Sequence, residues 1–341
     1  MIKELGDNVN ELPIVKEYEN RIVEILSCDD ITECFDEMLQ IGARIISGAL
    51  SQEGKRELAD RIRKSVYFLP NEDTAEMLRH IAYLHLMVRL TDSKDFYTEF
   101  LAYIDGIRID ERYRFFLLMQ ARYLSYQKPY IITLESDRLF HKIYKRSKKF
   151  YECRLGNVGK FLKLHERRPD QTIILTQQYL TDTHRETHLT NLIAQEIMVS
   201  MCQNTFIINT NDLLPVSNVV PLFGIEGHNS MQYLANANNV YIRGLSVPFF
   251  QCDDRMPSED EMNIILSTIM DVRPEYIISC GDHSITASLA AKFIPVIPGY
   301  QIAPVDDPQV VRENLLDYRR MIEEKRFWQI RFRVSENKAS I

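Results

Sequence analysis

Gln171-Thr-Ile-Ile-Leu-Thr176, a polar loop over residues 177–183, a helical stretch from about 184 to 201, and Thr205-Phe-Ile-Ile-Asn-Thr210 form one short block of sequence. The two apolar runs are short and rich in β-branched residues, the composition of strands covered on both faces. Between them, Leu189, Leu192, Ile193 and Ile197 recur at spacings of three and four and share one helical stripe. Thr183 is expected to cap the first turn, with Glu186 three residues on closing a capping box. Strand, crossover helix and strand make a βαβ unit, which carries ligand-binding loops at the carboxyl ends of its strands. The loops of interest are therefore 177–183 and 211–218.

The same alternation continues downstream. Val240-Tyr-Ile-Arg243 reads as a strand, and Ser258-Glu-Asp-Glu261 opens a helix with a capping box and acids at its positive end. Glu275 to Cys280 is a strand and Gly281-Asp-His-Ser284 a tight loop. A helix through Ile285, Leu289 and Ala290 follows, then a strand over 293–297 closed by Pro298-Gly299. A final amphipathic helix covers about 308–324, and residues 326–334 alternate like an edge strand. Residues 170–300 thus predict a mostly parallel, Rossmann-like open sheet. Upstream, helical spacing over about 31–50, 73–90, 95–103 and 110–124 predicts an all-helical domain. The fold class is α/β: a helical domain (1–137), a basic connecting region (138–168) and a Rossmann-like sheet domain (169–341).

The connecting region holds eleven Lys and Arg against Glu152 and Glu166, in a chain whose net charge is −7. Leu139, Phe140, Ile143, Tyr144, Phe150, Tyr151 and Phe161 are interleaved with those charges. Two readings stand: a solvated connector between domains, or a basic amphipathic helix that docks on an anionic membrane surface. The acidic balance elsewhere disfavours a general nucleic-acid binder. Six scattered cysteines without a CxxC pair argue for a reduced protein without structural zinc. With no leader-like start and no apolar run approaching about 18 residues, a cytoplasmic location is expected, peripheral on the inner membrane face if 138–168 docks.

Chemistry concentrates at two strand ends. His184-Arg-Glu-Thr-His188 lacks the Glu directly after the first His that the zinc-protease motif needs, so no metal is expected. At a helix N-terminus the dipole keeps an imidazole neutral, which suits His184 to a general base toward a hydroxyl; a helix-capping surface His is the plain alternative. Gly281 permits a sharp strand exit, and His283 and Ser284 follow at the start of a helix whose free N–H groups could hold an anion or a sugar hydroxyl. Asn209 and Asp212 close the second strand, Gln177 and Gln178 the first; all four can reach the same crevice or merely brace their loops.

Ile173-Ile-Leu-Thr-Gln-Gln-Tyr-Leu180, His184-Arg-Glu-Thr187 and Phe206-Ile-Ile-Asn-Thr-Asn-Asp212 resemble the acceptor-side half of two-domain GT-B glycosyltransferases. Ile277-Ile-Ser-Cys-Gly-Asp-His-Ser-Ile-Thr-Ala287 with Phe293-Ile-Pro-Val-Ile-Pro298 resembles the last strand–loop–helix–strand of that half. The likeness covers about residues 165–305 and is similar to bacterial envelope and protein-glycosylating enzymes in which a helical domain comes first. It implies glycosyl transfer from a nucleotide-sugar donor substrate, without a further cofactor, to a glycan, lipid-linked or protein acceptor. It also implies His184 as the base on the acceptor hydroxyl, with Gly281, His283 and Ser284 lining the cleft. Such enzymes grip the donor with a second Rossmann domain that this sequence does not show. The expectation is an enzyme if that half is supplied beyond Ile341 or by a partner chain. The alternative is a non-catalytic glycosyltransferase-like binding or scaffold partner.

Overall fold

A computed structural model of the protein describes residues 11–28, 30–68, 74–156, 158–213, 231–253 and 256–324. The chain divides into two compact units, with the division falling between Arg146 and Ser147 for the described residues.

The first unit is helical. It contains α1 (Leu12–Leu26), α2 (Ile31–Arg44) with a π-helical turn (Ile45–Ala49), α3 (Gln52–Ser65), α4 (Thr74–Thr91), α5 (Lys94–Gly106) and α6 (Glu111–Gln127). Helix α7 (Leu134–Glu152) begins in this unit and runs past the division. Side chains set the starts: Ser51 Oγ accepts from Gly54 N, Ser93 Oγ from Asp95 N, and Asp110 Oδ1 from Arg112 N and Tyr113 N. Gly48, at φ 115°, ends the π-turn in a conformation that favours glycine. Helices α4 and α6 are buried around most of their circumference, so polar residues reach the interior. Arg114 is one: its guanidinium donates to the Ile104 and Ile107 carbonyls at the end of α5. Helices α1 and α3 lie outside the four helical stretches that periodicity marks, although each buries one face, through Val15, Ile22 and Ile25 in α1 and Leu58, Ala59 and Ile62 in α3.

The second unit holds β1 (Arg168–Thr176), α8 (Arg185–Ser200), β2 (Asn204–Asn209), β3 (Asn239–Ile242), β4 (Leu245–Gln251) and α9 (Glu259–Val272). It continues with β5 (Pro274–Cys280), α10 (Ile285–Ala290), β6 (Val296–Pro298), α11 (Gly299–Ile302) and α12 (Pro308–Glu323). The six strands run in the order β3-β4-β2-β1-β5-β6, and every pairing except β3–β4 is parallel. This is the expected α/β class with a Rossmann-like sheet.

Register makes the core. Phe249, Ile207, Ile174, Ile278 and Ile297 lie side by side across five strands, and all five are buried. They pack with Leu192, Ile193 and Ile197 of α8 and Val311 and Leu315 of α12. Helices α9 and α10 contact each other and the sheet, on strands where α8 and α12 supply the opposite cover. Chain order therefore reverses at β1: α8 leads from it toward β2, while α9 returns the chain to its other side at β5. The carboxyl ends of β1 and β5 flank this switch point, where open α/β sheets bind ligands.

Several sequence expectations shift. Helix α8 is capped by His184 rather than Thr183, and the His184 side chain makes no cap bond; Thr183 Oγ1 is instead 2.9 Å from Thr181 Oγ1. The strand expected over 293–297 begins at Val296, because Phe293 and Ile294 still donate to Ala290 at the end of α10. Strand β4 was not expected at all, and it carries the antiparallel pairing. Residues 326–334, and 214–218 of the second loop, lie outside the described residues.

Candidate functional site at the carboxyl edge of the sheet

The carboxyl edge is polar and buried. Thr176, Asn209 and Gln251 stand in register on β1, β2 and β4, with Cys280 beside Thr176 on β5. Asn209 Nδ2 donates to Gln251 Oε1 at 2.9 Å, and Gln251 Nε2 to the Met231 carbonyl at 3.3 Å. Asn211, left-handed at φ 50°, donates through Nδ2 to the Cys252 and Asp253 carbonyls. Asn tolerates that conformation better than most residues. The carbonyl oxygens of both side chains, Asn209 Oδ1 and Asn211 Oδ1, are buried without a partner among the described residues.

Gln177 stands at the switch point itself. Its backbone N–H donates to the Cys280 carbonyl, so the loop after β1 is joined to the end of β5. Its side chain lies on Gly281: a Cβ there would sit 2.3 Å from Gln177 Oε1. Gly281 adopts φ 109°, so both its backbone and the close approach require glycine. The Gln177 side chain is 1% exposed, and neither Oε1 nor Nε2 has a hydrogen-bond partner among the described residues. A buried, unpaired amide costs on the order of 1–3 kcal/mol per polar group. Gln178 is also buried, and its carbonyl accepts from Thr176 Oγ1 at 2.9 Å.

The loop leading to His184 is braced from α8. Tyr179 OH donates to Asn191 Oδ1 at 2.7 Å, Asn191 Nδ2 donates to Asp182 Oδ1 at 2.9 Å, and Leu180 N donates to Thr187 Oγ1 at 2.7 Å. The half-buried His184 ring sets Nδ1 3.2 Å from Thr187 Oγ1, leaving Nε2 for outside chemistry. Burial lowers the His184 pKa from its ordinary value, so the ring is neutral at neutral pH. His188, one turn on, lies 2.9 Å from Asp306 Oδ2. Among the described residues no three His, Cys, Asp or Glu side chains converge on a metal position.

Asp212 and Ser284 meet each other. Ser284 Oγ donates to Asp212 Oδ2 at 2.5 Å, Thr286 Oγ1 to Oδ1 at 2.7 Å, and Ala287 N to Ser284 Oγ at 3.1 Å. The Thr286 N–H also reaches Asp212. The first N–H groups of α10, read from sequence as anion donors, are thus engaged by this chain's own side chains. Burial raises the Asp212 pKa, against the hydrogen bonds that favour its charge. These two residues tie the loop after β2 to α10. His283 is left-handed at φ 56°, with Nε2 3.3 Å from Asp282 Oδ2. Burial pushes the Cys280 thiol up to about 12 and the Cys252 thiol well above its ordinary value, so neither supplies a thiolate near neutral pH.

Sequence reasoning passed over Asn211 and Gln251. The first follows Asn209-Thr210 in plain view, and the second ends β4. Its signal was Arg243-Gly244, both left-handed, which turn β3 back into β4.

The basic region is helical over α7. Lys142 pairs with Asp105, Arg146 with Glu111, Lys148 with Glu152, and Arg154 with Glu259. Arg167 is buried and donates to the Leu162 and Glu275 carbonyls. Phe140, Ile143 and Tyr151 are buried, so the middle of α7 offers a surface charge, while Leu134 at its start and Phe161 beyond its end are exposed. No described helix is long and apolar enough to cross a membrane.

No family model, curated protein or solved structure matches the chain. A functional reading therefore rests on the geometry of this edge and the pattern of its residues.

Proposed function

We propose that the sheet unit is the acceptor-binding half of a GT-B-like glycosyltransferase, holding a hydroxyl-bearing acceptor at its carboxyl edge. The nucleotide-sugar would be held by a donor domain of a longer chain or a partner. The observation that carries the reading is Gln177: a fully buried amide at the switch point with all its hydrogen-bonding capacity unused. Two donors and two acceptors in one plane suit the paired hydroxyls of a sugar. His184, neutral and fixed on a braced loop, would take the acceptor proton through Nε2, provided Nδ1 keeps its proton toward Thr187.

The test uses the assembled enzyme. His184→Ala is expected to cut kcat about 100-fold or more while leaving donor affinity intact, and unchanged turnover would refute the base. Because the His184 pKa is lowered, the acid limb of the kcat/KM profile should fall below pH 6.5. A non-catalytic sugar-binding partner would share the need for Gln177 and be indifferent to His184. Binding that survives His184→Ala with no transfer activity in any assembly would select that second reading.

A further inference from the structure

Resting on that reading, we infer that this edge selects an uncharged, hydroxyl-rich acceptor and rejects phosphorylated or carboxylated ones. The described segments that leave the carboxyl ends of the strands, 177–186, 210–213, 252–253, 281–286 and 299–306, hold Asp182, Glu186, Asp212, Asp253, Asp282 and Asp306, against Arg185 as their one Lys or Arg. Asp182 and Asp253 are exposed, and Asp282 is partly so. On Gln177, Asn209 and Asn211 the buried groups without a partner among the described residues are three acceptors, Gln177 Oε1, Asn209 Oδ1 and Asn211 Oδ1, and one donor group, Gln177 Nε2. Acceptor oxygens bind O–H donors and repel phosphate or carboxylate oxygens.

At the start of α10 the device that would hold an anion is already used. Binding a phosphate takes backbone N–H groups, a helix start or a basic fork. At α10 the Thr286 and Ala287 N–H groups face Asp212 Oδ2 and Ser284 Oγ, and the buried Asp212 occupies the position an anion would take. A second negative charge would sit among like charges at reduced dielectric. A neutral sugar meets no such penalty and supplies the hydroxyl protons that the three open oxygens lack. The edge therefore separates its ligands by charge before it separates them by shape.

The experiment is binding by the full chain, read from the Gln177 side-chain amide resonance and by calorimetry. The probes are neutral trisaccharides of hexose and N-acetylhexosamine units, and the same sugars carrying a phosphate or a uronic carboxylate. At 50 mM salt each anionic sugar is expected to bind about tenfold more weakly than its neutral counterpart, and the gap should narrow at 300 mM. An Asp182→Asn, Asp282→Asn double variant should bring the pair within about threefold. Anionic sugars that bind as tightly as neutral ones, through a Gln177-dependent site, would overturn the selectivity and leave the site reading in place. No binding by any sugar, with the Gln177 amide unmoved, would overturn both.

Discussion

The two ends of one sheet treat a buried glutamine in opposite ways. At the amino end Gln203 is 4% exposed and makes four hydrogen bonds. Its Nε2 donates to the Pro169 carbonyl and to Glu275 Oε2, each at 2.6 Å, and its Oε1 accepts from Thr172 Oγ1 and Tyr276 OH, each at 3.1 Å. At the carboxyl end Gln177, 1% exposed, makes none through its side chain. The same amide is saturated where the sheet is built and unsatisfied where the topology opens. Structure spends polar groups on each other; a binding edge keeps them for something else. An unpaired amide alone is not sufficient, since Gln120 of α6 is also buried without side-chain partners, away from any strand end. Position at the switch point is what separates Gln177 from it.

The largest effect should come from the saturated end. Gln203→Leu removes a hydrogen-bond partner from Glu275, Thr172, Tyr276 and the Pro169 carbonyl together, and we expect a loss of about 4 kcal/mol. Urea denaturation, with hydrogen exchange at β1 and β5 amides as the local probe, measures it. A loss under about 1 kcal/mol would mean the four bonds are not worth their desolvation. Gly281→Ala comes next, at about 2 kcal/mol, because a Cβ at φ 109° meets Gln177 Oε1 at 2.3 Å. Its companion Gly281→Ala, Gln177→Ala should recover the steric part and keep the backbone part.

Gln177→Leu sharpens the contrast by reversing its sign. Replacing an unsatisfied buried amide with an apolar group of similar size should raise stability by about 1 kcal/mol while abolishing sugar binding. A destabilised variant would indicate that the amide has a structural partner after all.

How much of this the sequence carried follows from what each feature depends on. Strands β1, β2 and β5 are the central ones, so their burial on both faces writes itself as continuous apolar runs such as Ile173-Ile-Leu175 and Ile277-Ile278. β4 lies nearer the edge, alternates, and contains Pro248, which argues locally against a strand. The capping box at Thr183 failed because Thr181 offered that hydroxyl a nearer partner. Asp212 and Ser284 were both named as ligand contacts, but their tie spans 72 positions and has no local signature. Gln177 and Gln203 differ in nothing that local sequence records. Each flanks an apolar strand, and only the three-dimensional neighbours decide which is satisfied.

The acid response of His184 is a smaller effect that bears on the same contrast. Its folded pKa is lowered by burial, so the folded state binds the proton less readily than the unfolded chain. The stability tied to the neutral ring is complete above pH 6.5 and is lost as pH falls from there through the folded pKa. His184→Gln should remove that slope without removing the contribution of the raised carboxyls Asp212 and Glu275, whose own titration works in the other direction: each costs less as it gains a proton.

At physiological salt, the smallest effect should be the affinity of the basic region for anionic vesicles. Four of its bases are paired within their own unit and one is buried, which leaves Arg138, Lys145, Lys149, Lys160, Lys163 and Arg168 exposed and in no ion pair among the described residues. With Phe140, Ile143 and Tyr151 in the core and only Leu134 and Phe161 of the larger apolar side chains named above exposed, attraction would be mainly electrostatic, about 1 kcal/mol per base near the surface and screened beyond about 10 Å at 0.1 M salt. Flotation with phosphatidylserine vesicles should therefore show binding at 20 mM salt that vanishes by 300 mM. Retention at high salt would require apolar insertion, which the buried side of α7 does not allow without opening its core.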